Sequence, residues 1–343
     1  MSHYRSFAIR HSRLLYMLRV ALVMGLILVI VRQFNLPYGY WALITAVTIL
    51  GAIPFVGGVI SKANQRIWGT VAGATVGLAL FLIPPQYHWT HHLAFFGLLI
   101  GTMYFTQERY AYAALMAAIT IVIVAGGGPA DFEAAGWRIL NVVWSAVLSI
   151  LASLYVFPAR ATDQFIYLLE SFCHQCGQFY HQHNETMSDN TFVPQNAISL
   201  SDLIEKQQGL LPHAARESGP LKPVLASILS IEKRIYTDLE TLISTHWDSQ
   251  QGKEKIGDLH GLKAAKEELA SKFDALRDGL VNREVDILDT DSLLLMSLKP
   301  KHQLSEDDDA SDISYYGYLW LNRELARQLV QLTIASKKLF LYR

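Results

Sequence analysis

Apolar residues along this chain come first in long unbroken runs and afterwards in helical stripes. Six runs in the first half, Leu14–Phe34, Tyr40–Ile60, Ile67–Pro84, His92–Thr106, Tyr110–Gly127 and Trp137–Phe157, approach the roughly 20 residues an α-helix needs to cross a hydrocarbon core of about 30 Å. The fourth is short, and with the fifth it would form a tilted or partly re-entrant hairpin around Gln107, Glu108 and Arg109. Past Pro158 the pattern turns amphipathic, with Phe165, Leu168, Leu169 and Phe172 at helical spacing. A polar break is expected near His183–Pro194. Further helices follow at Ser199–Leu211, Leu221–Trp247, Gly257–Asn282 and Tyr316–Tyr342, with a solvated acidic loop at Ser305–Asp312 before the last. No alternating strand pattern or internal repeat stands out. The expected fold is all-α: a polytopic membrane bundle of about six transmembrane helices over residues 1–157, then an α-helical cytoplasmic domain over residues 158–343.

Charge sharpens this division. Residues 1–157 hold 9 Lys or Arg and 3 Asp or Glu, a formal charge of +6, whereas residues 158–343 hold 20 and 27, a formal charge of −7. Arg5, Arg10, Arg13, Lys62, Arg66, Arg109 and Arg160 lie on the side where the chain begins, while only Arg32 and Arg138 lie opposite, both at run ends. The positive-inside rule then places both termini in the cytoplasm. The opposite loops, Gln33–Gly39, Pro85–His91 and Gly128–Gly136, contain no Lys or Arg, and Tyr38, Tyr40, Trp41, Tyr87, Trp89 and Trp137 gather there as an aromatic belt. No small-residue cleavage site follows the first run, which is too long for a signal-peptide core, so it is expected to stay in the membrane.

The stretch from Arg66 to Gly77 carries the most specific local pattern. At about 100° per residue, Arg66, Gly69, Thr70, Gly73 and Gly77 fall in one narrow stripe. A glycine inside a helix costs about 1 kcal/mol relative to alanine, so three kept in register imply close approach of another backbone. Gly97 and Gly101 offer a second bare face, for intramolecular packing or a dimer contact. Arg66 itself reads two ways: as an anchor whose guanidinium reaches lipid phosphate at the cytoplasmic mouth, or as the cationic lining of an anion path. Arg138 poses the same choice, and Trp41 and Trp68 are either belt residues or stacking platforms.

No Asp or Glu falls inside any apolar run, since Glu108, Asp131 and Glu133 all sit in turns. A path lined by Arg66 and Arg138, with Thr45, Thr48 and Thr70 as hydrogen-bond donors, would favour anions and offer cations little. The missing carboxylates also remove the usual relay for proton coupling. An anion leaving a cell with a negative interior is driven outward at ~2.3 kcal/mol per 100 mV, so uniport is physically sufficient.

Other residues invite chemistry and do not sustain it. Cys173 and Cys176, near His174, His181 and His183, suggest metal or redox work, but residues 173, 176 and 180 share a helical face that the histidines need not share, and no second cysteine pair exists. A reduced pair packed in a cytoplasmic helix is expected, with no metal and no cofactor. Tyr316, Trp320 and Glu324 are spaced to line one face of the last helix, for ordinary packing or for docking the soluble domain onto the bundle. No nucleophile–His–carboxylate set, phosphate-binding loop or basic aromatic groove appears, so neither an enzyme nor a nucleic-acid-binding protein is expected.

Trp41 and Thr45 in the second run, the Arg66-to-Gly77 stripe and Trp137-Arg138 at the sixth resemble the fusaric-acid-resistance and aromatic acid exporter family. The closing stretch from Tyr316 to Leu329 is similar to the C-terminal end of a short bacterial inner-membrane permease of that family. The resemblance implies an inner-membrane efflux permease for aromatic carboxylates or related organic anions, sometimes working with a periplasmic adaptor protein. Longer members carry two membrane bundles, so a chain with one is expected to work as a homodimer or larger assembly in membrane lipid. The residues expected to bind substrate are Arg66, Thr70, Arg138, Thr45 and Trp41. A gated anion channel fits the same chemistry, and a non-transporting membrane sensor or scaffold remains a third reading.

Overall fold

The computed structural model describes residues 11–51, 54–84, 86–108, 110–126, 131–186, 197–244, 261–298 and 309–341. Arg5, Arg10, Arg109, Trp247 and the first half of the acidic run lie outside these residues. All regular structure among them is helical. The chain divides into two compact units at the junction of Arg160 and Ala161.

The first unit contains α1 (Ser12–Gln33), α2 (Tyr40–Leu50), α3 (Val56–Ala79), α4 (His88–Tyr104), α5 (Ala111–Ala125) and α6 (Phe132–Tyr155). By length and composition α1 and α6 can each cross a bilayer, whereas α2 and α5 are apolar but shorter than a full span. The expected run Tyr40–Ile60 is not one helix: α2 stops at Leu50 and α3 starts at Val56. Pro54 explains the break, since it has no N–H to donate and pushes the chain away from helical geometry, and Phe55 is extended at the N-cap. The third helix consequently begins eleven residues before the expected Ile67, and Ser61, Lys62 and Gln65 are helical rather than in a loop.

One end of this unit is fastened by polar contacts to backbone carbonyls. The Arg19 guanidinium donates to the Pro54 carbonyl at 2.7 Å and to that of Phe157 at 3.5 Å, and the Tyr16 hydroxyl donates to Leu50 O at 3.0 Å. The Val56 N–H reaches Ala159 O at 3.1 Å. The start of α1, the end of α2, the start of α3 and the end of α6 thus meet there, with Val23, Ile27, Ala46, Ile49, Val59 and Ala146 packed above. At the other end Asp131 caps α6, its carboxylate accepting from Ala134 N at 2.8 Å.

Glycines set the contact between α3 and α5. A Cβ on Gly69 would collide with the Ala113 carbonyl, one on Gly73 would lie 2.5 Å from Ala117 O, and one on Gly77 would crowd Val124 at 3.2 Å. The partners advance in the same order, so the two helices run parallel in backbone contact. Gly97 and Gly101 on α4 meet nothing within 4 Å, and α4 has no buried residue. Among the described residues, nothing packs closely on that second glycine face.

The second unit contains α7 (Ala161–Thr186), α8 (Ala197–Glu217), α9 (Lys222–Ser244), α10 (Leu262–Asn282), the short α11 (Leu294–Ser297) and α12 (Asp309–Leu341). The last begins seven residues before the expected Tyr316, so Asp309 and Asp312 belong to a helix rather than to a loop. Its core is the sum of the amphipathic stripes, including Phe165, Leu169 and Phe172 of α7, Ile228 and Ile235 of α9, Phe273 of α10 and Leu325 and Leu329 of α12. Glu217, at the end of α8, caps α7 by accepting from the N–H groups of Ala161 and Thr162 at 2.8 and 3.1 Å. A carboxylate there satisfies orphan donors and the positive end of the helix dipole together.

Candidate functional site

Three cations meet one face of α5. Tyr112, Met116 and Thr120 recur every fourth residue, so successive positions stand about 6 Å apart along the helix. The Lys62 ammonium lies 5.1 Å from the Tyr112 ring centroid. Arg66, one turn along α3, donates through Nη1 to the Met116 sulfur. Arg138 comes from α6 and donates through Nη2 to the Thr120 hydroxyl at 3.1 Å, while that hydroxyl donates back to Met116 O at 2.7 Å. A ladder of positive charge thus runs along α5, from the half-buried Lys62 to the deeply buried arginines.

The arginines are held by neutral partners rather than by opposite charge. Arg66 and Arg138 are only 4% and 3% exposed. The Arg138 guanidinium lies over the Trp41 indole at 3.6 Å to the centroid, which restrains its plane while Nη2 bonds Thr120. Among the described residues, Arg66 Nε, Arg138 Nε and Arg138 Nη1 have no hydrogen-bond partner. Among the described residues no carboxylate pairs with either, because acidic side chains in this unit sit at helix ends and turns. The Thr45 hydroxyl, one turn along α2 from Trp41, is fully buried and unpartnered, and so is the Tyr112 hydroxyl. Two permanent charges and several donors are therefore dry and unsatisfied, which costs several kcal/mol unless a ligand supplies the missing acceptor.

Of the residues expected at a site, the structure brings Trp41 into contact with Arg138 and sets Arg66 and Arg138 on neighbouring turns of α5. Arg66 is not at a helix mouth: it is the eleventh residue of α3, about 15 Å from its start. Thr70 is buried on α3, one turn beyond Arg66. Thr48 is spent locally, donating to Ile44 O at 2.9 Å. Trp68 is 70% exposed and away from the cluster. Lys62, Tyr112, Met116 and Thr120 were not anticipated. The available signal was the polar and polarizable recurrence at 112, 116 and 120, which an otherwise apolar run disguised. Asn141 on α6 also escaped notice; its amide donates to Pro37 O at 2.9 Å and its carbonyl accepts from the Trp144 indole at 3.0 Å.

The model of the Fusaric acid resistance protein family matches residues 13–331. The chain belongs to that family. It is 28% identical to Inner membrane protein YeeA of Escherichia coli K12 over 337 residues, covering 93% of this chain and 92% of that relative. Uncharacterized transporter YdhK of the same strain is 34% identical over 113 residues, 32% of this chain and 17% of its own length. The match of the family model spans both structural units, so the helical second unit is as much a part of the family's pattern as the bundle.

That second unit buries ionisable groups of its own. Glu232 is fully buried on α9, accepts from the Gln207 amide at 2.8 Å and is pushed up to about 8 by burial. Lys266, 4% exposed on α10, donates to the Tyr318 hydroxyl at 2.5 Å, lies over the Tyr180 and Tyr318 rings, and is lowered to about 7 by burial. Cys173 and Cys176 are free, buried thiols whose pKa values burial raises well above the ordinary range, the opposite of an activated nucleophile. His174 instead contacts Asp274 and Arg277, and no three potential metal ligands converge among the described residues. On α12, Trp320 is 56% exposed, Tyr316 is half-buried, and Glu324 pairs with Arg327 at 3.0 Å.

Proposed function

We propose that this member of the family is a bacterial inner-membrane permease that exports organic anions, aromatic carboxylates among them. Family membership and the names of its relatives, an inner membrane protein and a transporter, support membrane transport. The observation that carries the anion reading is the pair of arginines buried at Met116 and Thr120 without a carboxylate. An arginine stays charged at any physiological pH, so the bundle is short of negative charge until cargo arrives. Lys62 gathers anions at the outer rung, Arg66 and Arg138 hold them, and Thr45 and Tyr112 supply hydroxyl donors.

The charge bias of the sequence supports six crossings with both termini in the cytoplasm, and export down the membrane potential. The reading includes assembly of at least two copies. The open Gly97 and Gly101 face of α4 is available for that contact, and the exposed Trp320 face of α12 is available for docking. The function is tested with purified protein in liposomes, following efflux of labelled aromatic acids under an imposed potassium diffusion potential. Saturable efflux accelerated by a negative interior is expected. Efflux no faster than from empty liposomes across the panel would sink the transport reading.

A further inference from the structure

Resting on the anion reading, we propose that the preferred cargo is a dianion whose two acidic groups stand about one helical turn apart, one on Arg66 and the other on Arg138.

The argument is a charge count. In a dry interior a single anion meeting two unmatched guanidiniums would leave one positive charge buried and uncompensated, whereas two negative charges close the account. Among the described residues nothing on α2, α3, α5 or α6 supplies the second one from inside, since the Asp131 carboxylate, seven residues before Arg138, is engaged in capping the N-terminus of α6 and Glu133 lies in its exposed first turn. The donors are also doubled in space. Arg66 is pinned at Met116 with Nε free, and Arg138 is pinned at Thr120 with Nε and Nη1 free. Those anchors lie four residues apart on α5, hence about 6 Å. Stacking on Trp41 restrains the Arg138 guanidinium at its own anchor, apart from that of Arg66 on Met116. The Thr45 hydroxyl, one turn from Trp41 on α2, and the Tyr112 hydroxyl, one turn from Met116 on α5, are also buried without a hydrogen-bond partner among the described residues.

Spacing turns the count into a chemical preference. Terephthalate carries its carboxylates across the ring at roughly the one-turn separation of the anchors, phthalate holds them side by side at about half of it, and benzoate has only one. Binding of these three probes to the full-length protein in nanodiscs is measured by isothermal titration calorimetry. Terephthalate is expected to bind at least tenfold more tightly than benzoate, with phthalate between them. Arg138→Gln and Arg66→Gln, checked for monodispersity, should each bring terephthalate down to the wild-type benzoate level or below.

Equal affinity for benzoate and terephthalate overturns the dianion proposal and leaves the anion reading standing. No saturable binding of any probe overturns both. Phthalate binding tighter than terephthalate also overturns the proposal, because it would mean that the two guanidiniums converge on one point. The wild-type ranking decides these outcomes even if a variant fails to fold.

Discussion

Both units bury ionisable side chains, and they solve the resulting problem in opposite ways. In the second unit Glu232 and Lys266 can surrender their charge, and burial moves each toward its neutral form, to about 8 and about 7. In the first unit the buried groups are Arg19, Arg66 and Arg138, which cannot. Arg19, whose Nε is likewise without a partner among the described residues, is answered at both Nη atoms by the carbonyls of Phe157 and Pro54 and reads as a fastening of the helix ends. Arg66 and Arg138 are answered by a thioether, one hydroxyl and an indole face, a poor match for two full charges. A charge that is permanent, dry and unmatched is a stability cost that only a ligand relieves. On the proposed function, Arg19 builds the bundle whereas Arg66 and Arg138 bind cargo.

The sharpest way to break the comparison is to neutralise the binding pair. Arg66→Gln and Arg138→Gln should each lower transport by about 100-fold or more, as expected when one partner of a desolvated charge pair is lost. Their unliganded thermal stability should hold or rise, since an unmatched charge has been removed. Arg19→Gln should do the reverse, lowering Tm by several degrees through lost carbonyl contacts. Differential scanning fluorimetry beside liposome efflux checks both limbs. If Arg138→Gln were destabilising and still transported normally per folded molecule, Arg138 would belong with Arg19.

The second unit is tested through pH. The folded pKa of Glu232 is raised from an ordinary 4.5 to about 8. Its contribution is therefore fully present below about 4.5 and is lost as pH rises through about 8. Glu232→Gln keeps a partner for Gln207 and removes the titration. It should stabilise the second unit by up to about 3 kcal/mol at pH 7, with almost no gain at pH 4.5. Hydrogen exchange of α9 amides across that range measures it. Lys266 slopes the opposite way: its lowered pKa of about 7 costs stability below that pH, and the cost fades toward 10.5. A gain from Glu232→Gln that does not grow between pH 4.5 and 8 would mean that Glu232 is charged and matched.

Long apolar runs and amphipathic stripes made the helices legible, because burial sets both periods. The register of α3 was not, since Pro54 sits inside a run whose hydrophobicity continues through it, and only backbone geometry decides that a helix stops at Leu50. The close approach at Gly69 and Gly73 was legible as spacing, but its partners Ala113 and Ala117 were not, because small residues say that something comes near without saying what. At the site, the charged rungs Arg66 and Arg138 were visible as exceptions in an apolar context. Their meeting across α5 depends on two helices distant in sequence, and Thr120 gave no sign of its role beyond being one more threonine.

Thr120 is the next most sensitive point, with a neutral partner at stake instead of a charge. Its hydroxyl accepts from Arg138 and donates to Met116 O, so it orients the guanidinium while satisfying a helix carbonyl. Thr120→Val leaves volume and burial alone and removes the acceptor. About tenfold weaker apparent affinity is expected with little change in maximal rate, the scale of one hydrogen bond to a charged group. Thr120→Ser should restore most of it. A Thr120→Val defect confined to maximal rate would place the residue in a conformational step rather than beside cargo.

The smallest effect belongs to Lys62, and it separates a graded ladder from a uniform one. Lys62 is half-buried, on the outermost rung beside Tyr112, where solvent still screens it. Lys62→Gln should lower kcat/KM only about threefold at low ionic strength, chiefly by slowing capture, and the difference should vanish near 0.5 M salt, where the screening length falls to roughly 4 Å. Arg138→Gln should keep its full defect in the same salt, because a desolvated charge is barely screened. If Lys62→Gln proved as severe as Arg138→Gln and equally indifferent to salt, the dry region would reach the outer rung. The unmatched charge would then be three rather than two, and the contrast with the self-neutralising second unit would be larger still.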